Sequence, residues 1–309
     1  MNYREMRARL IGSYGRFVFF PDDPEAPKIV STRAFTHLVV DEEITLYAHP
    51  LMEEQIEDEL KEDYEVIYET PDLKGEYFVS PYSRTGNLNF KFKNGEKILK
   101  RAMRKPFEEE IEIIKIINKR INLALGEFWN AVSIGMDLSE VKAILESKLL
   151  KNGIEGFQHP SIVAFGAKSR YPMPHTHSGK VEKDGILYID STPFFQGYPM
   201  NFSRVIFTGE RNEWIESLER INSMYEALGK LIEPGISCNT LDGRIRSIGN
   251  FPHYSAVPSA GFYQPFAPGD CVVEENMIMT IVPSIYLKDG VIRVKRNILV
   301  RKGGPVFLI

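Results

Sequence analysis

The segment that contributes most to the fold assignment runs from Pro174 to Arg204 and reads PHTHSGKVEKDGILYIDSTPFFQGYPMNFSR. Within it, an apolar run that is typical of a buried strand ends in Asp190. A carboxylate at the end of such a strand must be paired, hydrogen-bonded or bound to a cation, because its desolvation is costly. Asp190 is therefore a candidate site residue, although an aspartate in this position also caps turns.

Two histidines, His175 and His177, stand in the proline-rich loop before this strand. Imidazole binds metals and titrates near neutral pH, so both side chains are candidates for a metal ligand or a general acid/base. The alternative is that they are structural or merely exposed loop residues.

Helices and further strands surround this segment. Residues 107–132 begin with an acidic turn and keep apolar residues at helical spacing, which predicts a helix of more than twenty residues. Residues 137–153 and 212–235 predict two more helices. Strand-like runs lie between and after them, at SIVAFG (161–166), GILYIDSTPFF (185–195), PMNFSRVIFTG (199–209), CVVEENMIMTIVPSIYL (271–287) and VIRVKRNILVRKGG (291–304). This order of elements predicts an α+β fold.

The N-terminal part of the chain forms a separate pattern. Between Tyr14 and Tyr77, short strand-like runs alternate with a charged segment of helical spacing, which predicts a small α/β unit. Residues 80–97 are then rich in turn formers. We therefore predict two domains, residues 1–100 and 101–309, and a chain of 309 residues is long enough for both.

Composition narrows the class of protein. Hydrophobic residues at 43% and charged residues at 26% are typical of a soluble globular chain and argue against a disordered one. The formal net charge of -4 offers no basic excess for nucleic acid, and no apolar run is long enough to predict a membrane partner. The chain has two cysteines, too few for a disulfide framework, and Cys271 reads as a buried apolar residue. We therefore expect a reducing, cytoplasmic setting.

Four stretches together resemble the creatinase, aminopeptidase P, prolidase and methionine aminopeptidase family, which has the pita-bread fold. RKPFEEEIEIIKIIN resembles the charged entry helix of that family, and DSTPFFQGYPMNFSR resembles its Asp, Gly-Tyr, Asp, Thr-Arg signature. MIMTIVPSIY resembles its Met-x-x-Thr-x-Glu-Pro-x-x-Tyr strand, and GVIRVKRNILV resembles its closing Gly-x-x-Arg-x-Glu-Asp strand. The resemblance covers roughly residues 105–304, and it implies a C-terminal pita-bread domain preceded by a small α/β domain.

The peptidases of this family hold two divalent metals with two Asp, one His and two Glu. The resemblance places these five positions at Asp190, Asn201, His253, Val282 and Lys295. Metal-bridged water needs several carboxylates around the cations, and this set carries one carboxylate and one ammonium. We therefore expect no metal, no cofactor and no dinuclear metallopeptidase activity.

Charge compensation suggests what replaces the cations. We expect the ammonium of Lys295 to occupy their space and to pair with Asp190, because a lone buried charge is costly. A register slip of one residue would instead turn Arg296 inward.

Two functions stay open at this point. The first is an Xaa-Pro dipeptidase-like or aminopeptidase P-like homologue without catalysis, which binds a peptide or a small molecule in the vestigial pocket. We expect this homologue to be a cytoplasmic homodimer. The second is a metal-independent C–N bond hydrolase of the creatinase type. The candidate catalytic residues of the second are His175, His177, Asp190 and His253. The candidates for substrate contact are Arg204, Lys295, Phe194 and Phe195, and the two phenylalanines otherwise belong to the core.

Overall fold

A computed structural model of the chain describes residues 2–85, 89–171, 175–176, 178–249, 251–252, 254–259 and 271–308. These residues form two compact units, of which the first ends at Glu110 and the second begins at Ile111. Within the described ranges, no helix is both long and apolar enough to cross a membrane. The predicted domain boundary at residue 100 stays a prediction.

The first unit is a mixed sheet with helices. Its elements are α1 (Tyr3–Gly12), β1 (Phe17–Phe19), β2 (His37–Val40), β3 (Ile44–Tyr47), α2 (Glu53–Glu59), β4 (Glu65–Ile67), β5 (Glu76–Val79), β6 (Lys91–Asn94) and α3 (Glu96–Met103). The strands pair in the order β4-β3-β2-β1-β5-β6. The β1–β5, β3–β4 and β5–β6 pairs are parallel, so this unit combines hairpins with crossover connections.

A buried ion pair lies in the first unit. Arg7 on α1 donates two hydrogen bonds to Glu110, of which the Nε–Oε1 bond measures 3.0 Å, and each side chain is 1% exposed. Glu110 also accepts from the main-chain N–H of Phe107 at 2.7 Å and thereby caps the next helix, α4 (Glu108–Trp129). Arg7 further donates to the main-chain oxygen of Ala102. The pair therefore ties α1 to the start of α4.

The second unit contains the remaining elements. After α4 come α5 (Leu138–Lys151), β7 (Gly156–Phe157), β8 (Ile162–Phe165), β9 (Ile186–Ser191), β10 (Pro193–Phe195), β11 (Tyr198–Pro199), β12 (Phe202–Phe207), α6 (Asn212–Ala227), α7 (Cys238–Gly249), β13 (Ala256–Ser259), β14 (Ile278–Ile281), β15 (Ser284–Leu287), β16 (Gly290–Arg293), β17 (Arg296–Leu299) and β18 (Val306–Phe307). Short 3₁₀ turns stand at Ala26–Lys28, Pro50–Met52, Gly166–Arg170 and Leu228–Lys230.

The helix α4 forms where the sequence predicts it. Three acidic residues occupy its first turn, where they complement the helix dipole. Its buried face packs against α5 and β9 in one core cluster, through Ile111, Ile114, Ile117, Ile121, Leu125 and Phe128. A second cluster joins α6 and α7 to β14, β16 and β17. Two helix layers therefore cover the strands of the second unit.

Strand register positions the candidate site. In one sheet the order is β12-β9-β8, and Ser203 of β12 stands opposite Asp190 of β9. In another the order is β13-β14-β17-β18, and Asn297 of β17 stands opposite Thr280 of β14. Every residue of β9 is buried, so a carboxylate on this strand requires compensation within the protein.

Cys271 is buried as predicted, but the expectation of reduced cysteines is wrong. Cys238, the first residue of α7, forms a disulfide with Cys271, and their Cα atoms lie 5.4 Å apart. Local sequence hides this pair because 33 residues separate its members. Disulfides occur in oxidising compartments and also inside hyperthermophilic cells, so the cysteines no longer support a reducing location.

Candidate functional site

Asp190 is the buried acid of the site. Its side chain is 5% exposed, and its Oδ2 accepts hydrogen bonds from the hydroxyl of Tyr188 and, at 2.7 Å, from Nζ of Lys295. Burial and the neighbouring Asp190 charge raise the pKa of Tyr188 well above its usual value, so its hydroxyl stays protonated and donates. Among the described residues, Oδ1 of Asp190 has no hydrogen-bond partner. One oxygen of the carboxylate is therefore paired and the other is not.

Lys295 supplies the positive charge. It stands between β16 and β17, and its Nζ donates to Oδ1 of Asn201 at 3.3 Å as well as to Asp190. Its main-chain N–H donates to Oγ of Ser203 at 2.9 Å, which fixes the backbone beside β12. The side chain is 15% exposed, so this ion pair is largely removed from solvent. The ammonium thus bridges two of the positions that the resemblance assigns to metal ligands, as the charge argument predicts.

Asn201 is held from a second side. Its main-chain oxygen accepts from Nδ2 of Asn297, and Oδ1 of Asn297 accepts from Oγ1 of Thr280 at 2.8 Å. This chain of bonds ties the residue before β12 to both β14 and β17. Thr280 belongs to the predicted Met-x-x-Thr strand, but no local pattern marks Asn297 as part of the site.

Val282 follows β14 and is half-buried. Its main-chain N–H donates to the oxygen of Ser255 at 2.8 Å, which continues the β13–β14 pairing. Because its side chain is a hydrocarbon, this position offers no donor atom to a cation.

A second buried cation, Arg293, supports Asp190 through Tyr188. The residue is 6% exposed, and its guanidinium donates to the hydroxyls of Ser284, Tyr188 and Tyr286, the first two at 3.0 and 3.3 Å. The chain Arg293–Tyr188–Asp190 therefore connects β16 to β9. Sequence reasoning did not assign Arg293 to the site, although it is the arginine of the closing-strand motif.

Arg204 and Arg296 lie on the other side of these strands. Ser203 shares its face of the sheet with Asp190, so the next residue, Arg204, points to the opposite face. The Cζ atom of Arg296 lies over the ring of Tyr225, 4.4 Å from its centroid. Lys295 rather than Arg296 therefore faces Asp190, and a role for Arg204 in gripping substrate beside Asp190 stays a prediction.

The remaining candidates divide into packed and exposed residues. The Cζ atom of Arg120 lies 4.0 Å from the ring centroid of Phe195, and Phe195 packs on the core around α4. Phe194 lies over Gly156. His175 is exposed in its loop. The two other candidate histidines, His177 and His253, lie outside the described residues.

The donor set does not suit a pair of dications. Of the five assigned positions, the four described ones, Asp190, Asn201, Val282 and Lys295, provide one carboxylate, one amide, one hydrocarbon and one ammonium. Hard cations need several oxygen ligands, and charge neutralisation needs carboxylates. Over the described ranges, no group of three or more His, Cys, Asp or Glu side chains is placed to hold a metal ion.

Comparison with known proteins supplies the family context. The sequence pattern of metallopeptidase family M24 matches residues 112–302. The chain is 27% identical over 303 residues to an Xaa-Pro dipeptidase of Pyrococcus furiosus, covering 87% of this chain and 85% of that protein. It is also 27% identical over 246 residues to an Xaa-Pro dipeptidase of Pyrococcus horikoshii, covering 74% of this chain and 68% of that protein.

Solved structures agree on the fold. An X-Pro aminopeptidase from Thermotoga maritima superposes with a TM-score of 0.81 at 22% identity, covering 98% of this chain and 97% of that one. The prolidase from Pyrococcus furiosus superposes with a TM-score of 0.80 at 21% identity, covering 95% of each chain. These matches confirm the predicted α+β pita-bread architecture.

Proposed function

Because the chain belongs to metallopeptidase family M24, we propose that it is a member that binds a peptide or small molecule and does not hydrolyse it. One observation carries the proposal: Nζ of Lys295 lies 2.7 Å from Asp190 and 3.3 Å from Asn201, where a cation would need to bind. The relatives named Xaa-Pro dipeptidases make a short peptide the first ligand to test.

Electrostatics decides between the ammonium and a metal. Two unit charges 4 Å apart interact by about 4 kcal/mol near a protein surface, and a dication beside an ammonium doubles this repulsion. Asp190 cannot offset it, because its paired oxygen already neutralises Lys295. Displacement of the ammonium would in turn leave a buried charge without a partner.

The test is metal binding by the wild-type protein and by a variant that restores the anionic positions. We expect isothermal titration with manganese, cobalt and zinc to show no stoichiometric binding to the wild type. The triple variant Asn201→Asp, Val282→Glu, Lys295→Glu gains three acidic groups at the assigned positions and should bind manganese or cobalt. Lys302→Glu is the control, since Lys302 is 83% exposed and its replacement makes the same change of charge as Lys295→Glu.

A second assay separates binding from turnover. Xaa-Pro dipeptides are incubated with wild-type protein with and without each metal, and both bound and hydrolysed peptide are measured. We expect bound, intact peptide. Two metals per chain together with dipeptide hydrolysis would overturn the proposal. Metal-free turnover of an amide or amidine would also overturn it and would support the creatinase-type alternative.

Cytoplasmic location, expected from the composition, and a homodimer, expected from the family resemblance, are further parts of the proposal. Light scattering coupled to size-exclusion chromatography measures the oligomeric state directly. A mass of 35.4 kDa would identify a monomer and contradict it.

A further inference from the structure

Two neighbouring arginines on strands of two adjacent sheets point away from Asp190. Ser203 and Asn297 both face the site, through hydrogen bonds to the main chain of Lys295 and of Asn201. Their strand neighbours Arg204 on β12 and Arg296 on β17 therefore point to the opposite face. This pair is separate from the Asp190–Lys295 ion pair.

Arg204 is anchored beside Arg296. Its Nη1 donates to the main-chain oxygens of Ser203 and Lys295, each at 2.9 Å. Burial, together with the adjacent positive charge of Arg296, lowers the pKa of Arg204 to about 10. The guanidinium of Arg204 consequently stays charged at neutral pH.

Two aromatic rings lie next to Arg296. The Cζ atom of Arg296 lies 4.4 Å from the ring centroid of Tyr225 and 6.0 Å from that of Phe307. The hydroxyl of Tyr225 donates to the main-chain oxygens of Ile281 and Val294, so its ring is fixed in place. Phe307 is 42% exposed, which opens this end to solvent.

Neither arginine has an acidic partner in the described part of the chain, where every ion pair within 4.0 Å involves other side chains. Arg7, by contrast, is buried together with an acidic partner, Glu110. Two adjacent guanidinium groups repel each other, and the aromatic faces offset this only in part. A negative ion between them would remove the repulsion.

We propose that Arg204 and Arg296 form a binding site for a small oxyanion, either a carboxylate or a phosphate. Guanidinium presents a planar fork of N–H donors that suits both groups. The half-buried position strengthens the interaction, because solvent screens it less than at the surface. This site does not depend on the function proposed for the Asp190 pocket.

The experiment measures thermal stability and calorimetric binding of the full chain with sodium phosphate, sodium acetate and sodium chloride at matched ionic strength. We expect saturable stabilisation by phosphate or acetate beyond that by chloride, and the comparison of the two identifies the preferred oxyanion. Arg296→Gln should weaken the apparent affinity at least about tenfold, since it removes a charge-assisted contact. Arg244→Gln is the control, because Arg244 is exposed on α7 and its loss changes the net charge equally.

A charge reversal gives an independent readout. Arg296→Asp places at this position the acid that the closing-strand motif carries, and it supplies Arg204 with a counter-ion. We expect a higher melting temperature without added oxyanion and no further rise with phosphate. The proposal fails if phosphate and acetate act like chloride on the wild type. It also fails if phosphate and acetate stabilise Arg296→Gln as much as they stabilise Arg244→Gln. Neither of these two tests requires Arg296→Asp to fold.

Discussion

Replacing Arg7 with methionine is expected to lower the free energy of unfolding by about 3–5 kcal/mol. The substitution removes the guanidinium that pairs with the buried Glu110, and both side chains are 1% exposed in the native protein. Desolvation of a buried carboxylate that has lost its arginine sets the size of the effect. Urea unfolding followed by far-UV circular dichroism measures it, because Trp129 and Trp214 belong to the second unit and fluorescence would report mainly on that unit.

Two variants control this prediction. Arg9→Met removes an arginine from the same helix whose side chain is 55% exposed and pairs with Glu5, so it should cost only about 0.2–0.5 kcal/mol. Arg7→Met combined with Glu110→Gln replaces both charges of this pair with neutral groups while an amide oxygen still caps Phe107, and we expect it to recover part of the lost stability. Equal losses in Arg7→Met and Arg9→Met would contradict the role of the buried pair.

Loss of the disulfide should lower the free energy of unfolding by about as much as Arg7→Met does. Cys238→Ala with Cys271→Ala releases a loop of 33 residues in the unfolded chain, for which the loop-entropy estimate is about 3–4 kcal/mol. The bonded cysteines also join the start of α7 to residue 271, where the main-chain N–H of Cys238 donates to the oxygen of Cys271 at 2.8 Å. We therefore expect a clear fall in the urea midpoint of the second unit.

Reductant supplies the matched control. The wild type treated with a phosphine reductant should lose the same stability as the double variant, and the double variant should not respond to it. Thiol titration of the untreated, denatured wild type should find no free thiol. Two free thiols, or a double variant as stable as the wild type, would contradict the prediction.

Local sequence patterns predicted the strands of the site and the long helix α4, because each carries its own apolar periodicity or apolar run. They did not predict α7, whose twelve residues include Gly243 and few strong helix formers. This helix instead depends on packing of Cys238, Leu241 and Ile245 into the second core cluster. Residues 212–235 likewise form a shorter helix than predicted, since α6 ends at Ala227 and a 3₁₀ turn follows.

Long-range pairs were harder to predict than elements. Arg7 and Glu110 are 103 residues apart, and their contact follows from tertiary packing alone. The ion pair of Lys295 with Asp190 was predicted only because charge compensation required a partner for a buried carboxylate. Strand alternation then excludes Arg296 from that role, and a shift of one residue would have reversed the assignment.

The ammonium of Lys295, which is covalently part of the chain, places a fixed positive group beside Asp190. Sites that depend on exchangeable ions lose their field when a chelator strips them or when the cell is starved of manganese or zinc. Here the positive group is a side chain of the protein, so it stays beside Asp190 in metal-poor and metal-rich surroundings.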